Sequence, residues 1–137
     1  MKTILNKFTV SLMVMFVVTA VSLQAQAADT ATKREPILVQ FDFSYKGPFG
    51  KDMTAAMTDL AKSITQEPGF IWKIWTENEK TQEAGGIYLF EDEKSAQAYI
   101  NKHSARLKMF GINQVNAKVF DVNAPLTGIT KGTLRAQ

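Results

Sequence analysis

"GFIWKIW", Gly69 to Trp75, sets two tryptophans, a phenylalanine and two isoleucines into seven positions. In extended backbone successive side chains point to opposite faces. The two alternating series are then Phe70, Trp72, Ile74 and Ile71, Lys73, Trp75. Both are apolar, and Lys73 is the single exception. A small antiparallel sheet usually keeps one face wet and alternates cleanly, so this strand demands cover on both sides.

The neighbouring stretches supply cover for one side. "ILVQFDFSY" (Ile37 to Tyr45) alternates strictly, with Ile37, Val39, Phe41, Phe43 and Tyr45 on one face, and reads as a first strand. "KGPFG" turns the chain. From Lys51 to about Gln66, Met53, Met57, Leu60, Ala61 and Ile64 fall at helical spacing. "EPG" ends that helix before "FIWKIWTEN", and "EKTQ" joins this second strand to a third, "AGGIYLF" (Ala84 to Phe90). "EDEKSAQAYINKHSARLKMFG" is a second helix, with acid at its first turn and Gly111 placed as a C-terminal cap. "VNAKVFDV" (Val115 to Val122) is a fourth strand. The order is βαββαβ, the ferredoxin-like α+β unit: a four-stranded antiparallel sheet with two helices on one face. No element remains for the second face. The expectation is a homodimer in which two such faces meet as a dimeric α/β barrel.

The 137 residues divide unevenly. Lys2 and Lys7 precede the apolar run "FTVSLMVMFVVTAVSL", and "AQA" follows it, the pattern of a signal peptide over residues 1–27. Residues 28–36 read as a tether, 37–126 as the barrel domain and 127–137 as a C-terminal tail of no clear element. The expected location is periplasmic or secreted, with no membrane attachment after cleavage. Loss of Lys2 and Lys7 leaves 14 basic residues against 13 acidic ones, so the chain carries no charge excess that points to nucleic acid. With no cysteine and one histidine, neither a disulfide framework nor a zinc site is expected. "GPFGK" lacks the spacing of a phosphate loop, and no Ser-His-Asp or Cys-His set can be assembled.

His103 lies in the series Ala96, Ile100, His103, Leu107 on the inward stripe of the second helix. It reads either as a base or donor directed into a cavity between helix and sheet, or as a buried histidine bonded to a backbone carbonyl. The aromatic residues are numerous for so small a domain and can line a pocket for a flat ligand as well as fill a core. Trp72 and Tyr88 stand on adjacent strands and share a face in one of the two registers. Gly85-Gly86 within a strand marks a bulge or a close approach, leaving room for a ligand or a tryptophan.

The motifs "GPFG", "QEPGFIWKIWTE", "EAGGIYLFEDEKSAQAYINKHSARL" and "AKVFDVNAPL" closely resemble the YdhR-like family of monooxygenases, from about Phe41 to Leu126. The resemblance implies the dimeric α/β barrel and the oxygenation of small aromatic or polycyclic compounds by dioxygen, with no flavin, metal or haem. An electron-rich phenol or hydroquinone must lose a proton before its anion reduces oxygen, which calls for a base, an apolar pocket and an oxyanion donor. His103 is the expected base or donor. Trp72, Tyr88, Phe49 and Phe43 are the expected substrate walls, and Trp75 is assigned to the dimer interface. An export signal departs from a family that looks largely cytosolic. Two alternatives stand beside this reading: a protein that binds small aromatic molecules without turnover, and a haem-handling barrel. The latter would use an Asn, Trp and His set, but the first strand carries Gln40 and no asparagine.

Overall fold

The strand read from Gly69 to Trp75 is formed, but with a bulge that the alternation conceals. In the computed structural model, which describes residues 35–135, it is β2 (Phe70–Asn78). The other elements are β1 (Ile37–Ser44), α1 (Gly50–Ile64), β3 (Glu83–Phe90), α2 (Glu93–Met109), β4 (Asn116–Asp121) and α3 (Ala124–Ile129). The expected signal peptide and residues 28–34 of the tether lie outside the described residues. The four strands form one antiparallel sheet in the order β2-β3-β1-β4, the ferredoxin-like topology. Among the described residues no helix is long and apolar enough to cross a membrane.

Phe70 pairs with Phe90, yet Trp72 pairs with Leu89 and Lys73 with Tyr88, so Ile71 is the extra residue. A bulge of this kind places two residues opposite one and reverses the facing of what precedes it. Phe70, Lys73, Trp75 and Glu77 therefore share the helix-covered face with Tyr88 and Phe90. Trp72 and Ile74 face the other way with Leu89 and Ile87. The unbroken series Phe70, Trp72, Ile74 is thus corrected.

The core lies between the sheet and the two long helices. Ile37, Val39 and Phe41 of β1 and Tyr88 and Phe90 of β3 pack against Ile64 of α1 and Ala96, Tyr99 and Leu107 of α2. Helix α2 starts at Asp92, whose carboxylate accepts the Ser95 N–H at 2.8 Å. It stops at Gly111, whose φ of 83° few other residues adopt. The N–H groups of Gly111 and Ile112 return to the carbonyls of Lys108 and Leu107 at 3.0 Å each, a Schellman closure. Helix α1 has no capping side chain of its own. Instead the Glu77 carboxylate of β2 accepts the Gly50 N–H at 3.0 Å, which pins the start of α1 above that strand.

The second face is not bare. Beyond β4 the chain forms α3, which runs across the expected boundary between the domain and the tail of no clear element at 127–137 and is capped by the Asn123 side chain on the Leu126 N–H. Further on, the Thr133 carbonyl accepts the Trp72 indole N–H at 2.8 Å. Leu89, beside Trp72 on this face, is fully buried. The expectation that no element remains for this side is corrected to that extent. Ile74 is still 55% exposed and Phe120 45% exposed.

Candidate functional site

A cavity of about 680 Å³ opens between the sheet and the helices, the size and placement of a small-molecule site. Met53, Met57 and Leu60 of α1 form one wall, and His103, Arg106 and Leu107 of α2 another. Phe43, Lys73, Trp75 and Tyr88 rise from the sheet. Among the described residues the lining holds no carboxylate, and its strongly basic side chains are Lys46, Lys73 and Arg106.

Lys73 reaches this position through its neighbours. A Cβ on Gly86 would stand 2.6 Å from the Lys73 Cε and 3.1 Å from the Tyr88 Cε2, so the lysine stem lies in space that a larger residue at 86 would take from it. Gly85 serves a different end, since a Cβ on it would collide with the Phe41 carbonyl of β1. The double glycine is therefore a close approach of two strands followed by a groove for a side chain. Above the groove, the Lys73 Nζ lies 3.1 Å from the Trp75 ring centroid and 4.6 Å from that of Tyr88. Ring faces attract an ammonium, but burial opposes it and the Arg106 charge adds to that, which lowers the Lys73 pKa to about 7.

His103 is 3% exposed. Its ring stacks on Tyr99 with centroids 5.1 Å apart and meets Phe41 edge-on at the same distance. The Nε2 lies 3.3 Å from the Tyr88 hydroxyl, and Nδ1 has no hydrogen-bond partner among the described residues. Burial, then the positive charges of Lys73 and Arg106, push its pKa down to about 3. The imidazole is neutral at any physiological pH and a poor proton acceptor. Burial likewise raises Tyr88, and raises Tyr99 to about 12, so both phenols keep their protons. Arg106 touches Glu67 with its Nη2 at 3.8 Å from Oε1, a carboxylate that Lys102 also holds at 2.8 Å. The Arg106 Nη1 has no hydrogen-bond partner among the described residues.

Of the residues expected from sequence, the fold brings His103, Tyr88 and Phe43 to this cavity. It does not bring Trp72, which the bulge turns to the opposite face. Phe49 does not line the cavity either; its ring packs edge-on against Tyr45, which does, at 5.6 Å. Trp75 moves the other way, from an expected interface to the cavity wall. Sequence reasoning missed Lys73 and Arg106. The signal for Lys73 was present, a lone lysine in an apolar strand with Gly-Gly in the strand that follows. Arg106 lies one helical turn beyond His103, and nothing in the sequence marked it. Among the described residues no three His, Cys, Asp or Glu side chains converge as a metal site requires.

Residues 38–133 match the family model described as "Putative mono-oxygenase ydhR". The match takes in all four strands except the first residue of β1, both long helices and the segment that reaches Trp72. No curated protein matches the chain. Among solved structures, the chain is similar to SnoaB from Streptomyces nogalater, a cofactor-independent oxygenase seen in a mutant form. Identity is 14% and the TM-score 0.49, over 65% of this chain and 94% of that one. It is also similar to a monooxygenase from Streptomyces coelicolor in complex with nanaomycin D, at 14% identity and a TM-score of 0.47, over 66% and 89%. A protein of unknown function from Nitrosomonas europaea stands at 16% identity and a TM-score of 0.47, over 66% and 92%.

Proposed function

Because the chain belongs to the ydhR mono-oxygenase family, we propose that it oxygenates small aromatic phenols or hydroquinones with dioxygen and no bound cofactor. The observation that carries this reading is the aromatic-walled cavity of about 680 Å³ whose charged lining groups are all cations. An aromatic ring finds there flat apolar walls in Phe43, Trp75 and Tyr88. An oxygen anion on that ring finds positive charge in a partly desolvated space, where electrostatic stabilisation is strong.

The reaction balances without an added reductant. A hydroquinone and one dioxygen give a hydroxyquinone and one water. The substrate supplies both electrons that reduce the second oxygen atom. Residues of this chain would bind the ring, exclude water and favour the anion.

A second copy is proposed as the cover of the exposed Ile74 and Phe120, since apolar surface of this kind marks an interaction site. Export is proposed from residues 1–27, so the substrate is met outside the cytoplasm.

The test is an oxygen electrode with the purified protein and a panel of phenols and hydroquinones, without cofactor. Oxygen consumption above the autoxidation rate, saturating with substrate, supports the reading. Saturable binding of the same compounds with no oxygen consumed would favour a carrier instead.

A further inference from the structure

Lys73, the polar exception in β2, has its stem laid across Gly86 and its nitrogen against two ring faces, at 3.1 Å and 4.6 Å from their centroids. No other described residue gives that nitrogen a hydrogen bond or a salt bridge. Arg106 approaches the same cavity from α2, and its Nη1 is likewise unpartnered among the described residues. The other titratable groups that line this cavity with Lys73 are His103 on α2, Tyr88 on β3, and Tyr45 and Lys46 just after β1. The site thus sets an amine and a guanidinium in one space, with no acid among the described residues that line it.

We propose that Lys73 takes the hydroxyl proton of the bound aromatic and that Arg106 holds the oxyanion left behind, so that the site selects hydroxylated aromatics over hydrocarbons and ethers. In this step the substrate O–H bond breaks and an N–H bond forms on the Lys73 Nζ. The electron pair stays on oxygen as the phenolate, and nothing is oxidised. The new ammonium lies over the Trp75 and Tyr88 faces, which stabilise it. The guanidinium cannot itself act as base, because arginine keeps its charge. Its part is a fixed donor, which suits an oxygen anion. A lysine pKa of about 7 places the free amine and its conjugate acid at comparable populations near neutrality, where general-base catalysis is most effective.

The proposal deepens the monooxygenase reading, but its test does not depend on turnover. 4-Nitrophenol, whose anion is yellow, serves as probe and is titrated with protein in excess across pH 5 to 9. Bound to wild type, it should ionise at least about tenfold more readily than in buffer, which is one pH unit. Lys73→Met should abolish that shift, and Arg106→Gln should weaken binding of the anion by about tenfold or more. Melting curves of each variant establish that it is folded, and Gly86→Ala, which displaces the Lys73 stem without removing the amine, is a second perturbation that should shrink the shift. A wild type that binds the neutral phenol, or that binds no nitrophenol, overturns the proposal. So does a Lys73→Met protein that still ionises the probe. Anion binding without oxygen uptake on hydroquinones would sustain this site while defeating the oxygenase reading. Uptake at the full rate in Lys73→Met would do the reverse.

Discussion

Replacing Lys73 by methionine should make the protein more stable, and by an amount that depends on pH in a calculable way. The stem of methionine follows the lysine path over Gly86 and fills similar space. In the wild type the Lys73 pKa is about 7 in place of 10.5. The folded chain therefore binds fewer protons than the unfolded chain between those values, and stability must rise with pH across that window. Integrated, the lysine destabilises the fold by about 4 kcal/mol at pH 7 and by about 2 kcal/mol at pH 9. Loss of packing and of the cation–ring contact alters the variant's stability as well, but those terms are nearly the same at both pH values. The quantity to measure is the stability difference between variant and wild type, by urea unfolding, at pH 7 and at pH 9. It should shrink by about 2 kcal/mol on going to pH 9. A difference that stays constant would mean that Lys73 keeps an ordinary pKa, and β2 would then offer no proton acceptor near neutrality.

Other variants separate the remaining roles. His103→Gln should leave turnover per folded molecule within a few-fold of wild type while lowering stability by about 1–3 kcal/mol, because it disturbs the Tyr88 hydroxyl 3.3 Å from Nε2; loss of activity without loss of stability would restore His103 as the base. The wild type should also weaken as pH falls below 6.5, by about 3 kcal/mol at pH 4, since His103 with a pKa near 3 must stay neutral to fold; urea midpoints of wild type and His103→Gln across that range check the sign. Gly85→Ala should prevent folding or cut stability severely, because its Cβ collides with β1 backbone, whereas Gly86→Ala should fold and disturb the Lys73 environment; thermal melts distinguish them. Light scattering at micromolar concentration should give a dimer for the mature chain and a monomer for Ile74→Lys with Phe120→Lys, while a wild-type monomer would remove the barrel arrangement.

The sheet order and both long helices were legible because they follow from alternation, helical spacing and caps. Ile37, Val39 and Phe41 alternate into the core, and Gly111 closes α2 as its spacing implies. The site was legible only in part, and the reason lies at Ile71. One extra residue in β2 turned Trp72 out and Lys73 and Trp75 in, and no propensity in "GFIWKIW" distinguishes a bulged strand from a straight one. His103 was correctly placed on the inward stripe of α2. Its surroundings, however, depend on burial by Phe41, Tyr88 and Tyr99 together with two cations from other positions, and it is these that remove its basicity. The same long-range character hid the ordering of the segment around α3, which returns to the sheet through the bond from Trp72 to Thr133, 61 positions apart.

The central claim is that this cavity carries out oxygen transfer from dioxygen to a hydroxylated aromatic using its own residues. The direct measurement is mass spectrometry of products after reaction of a naphthohydroquinone with labelled dioxygen, in protein stripped of small molecules and with a chelator present. The expected product carries one labelled oxygen atom, the other appears as labelled water, and the yield falls on the order of 10²–10⁴-fold in Lys73→Met. Product without label, or hydrogen peroxide in equal amount to the quinone formed, would contradict it.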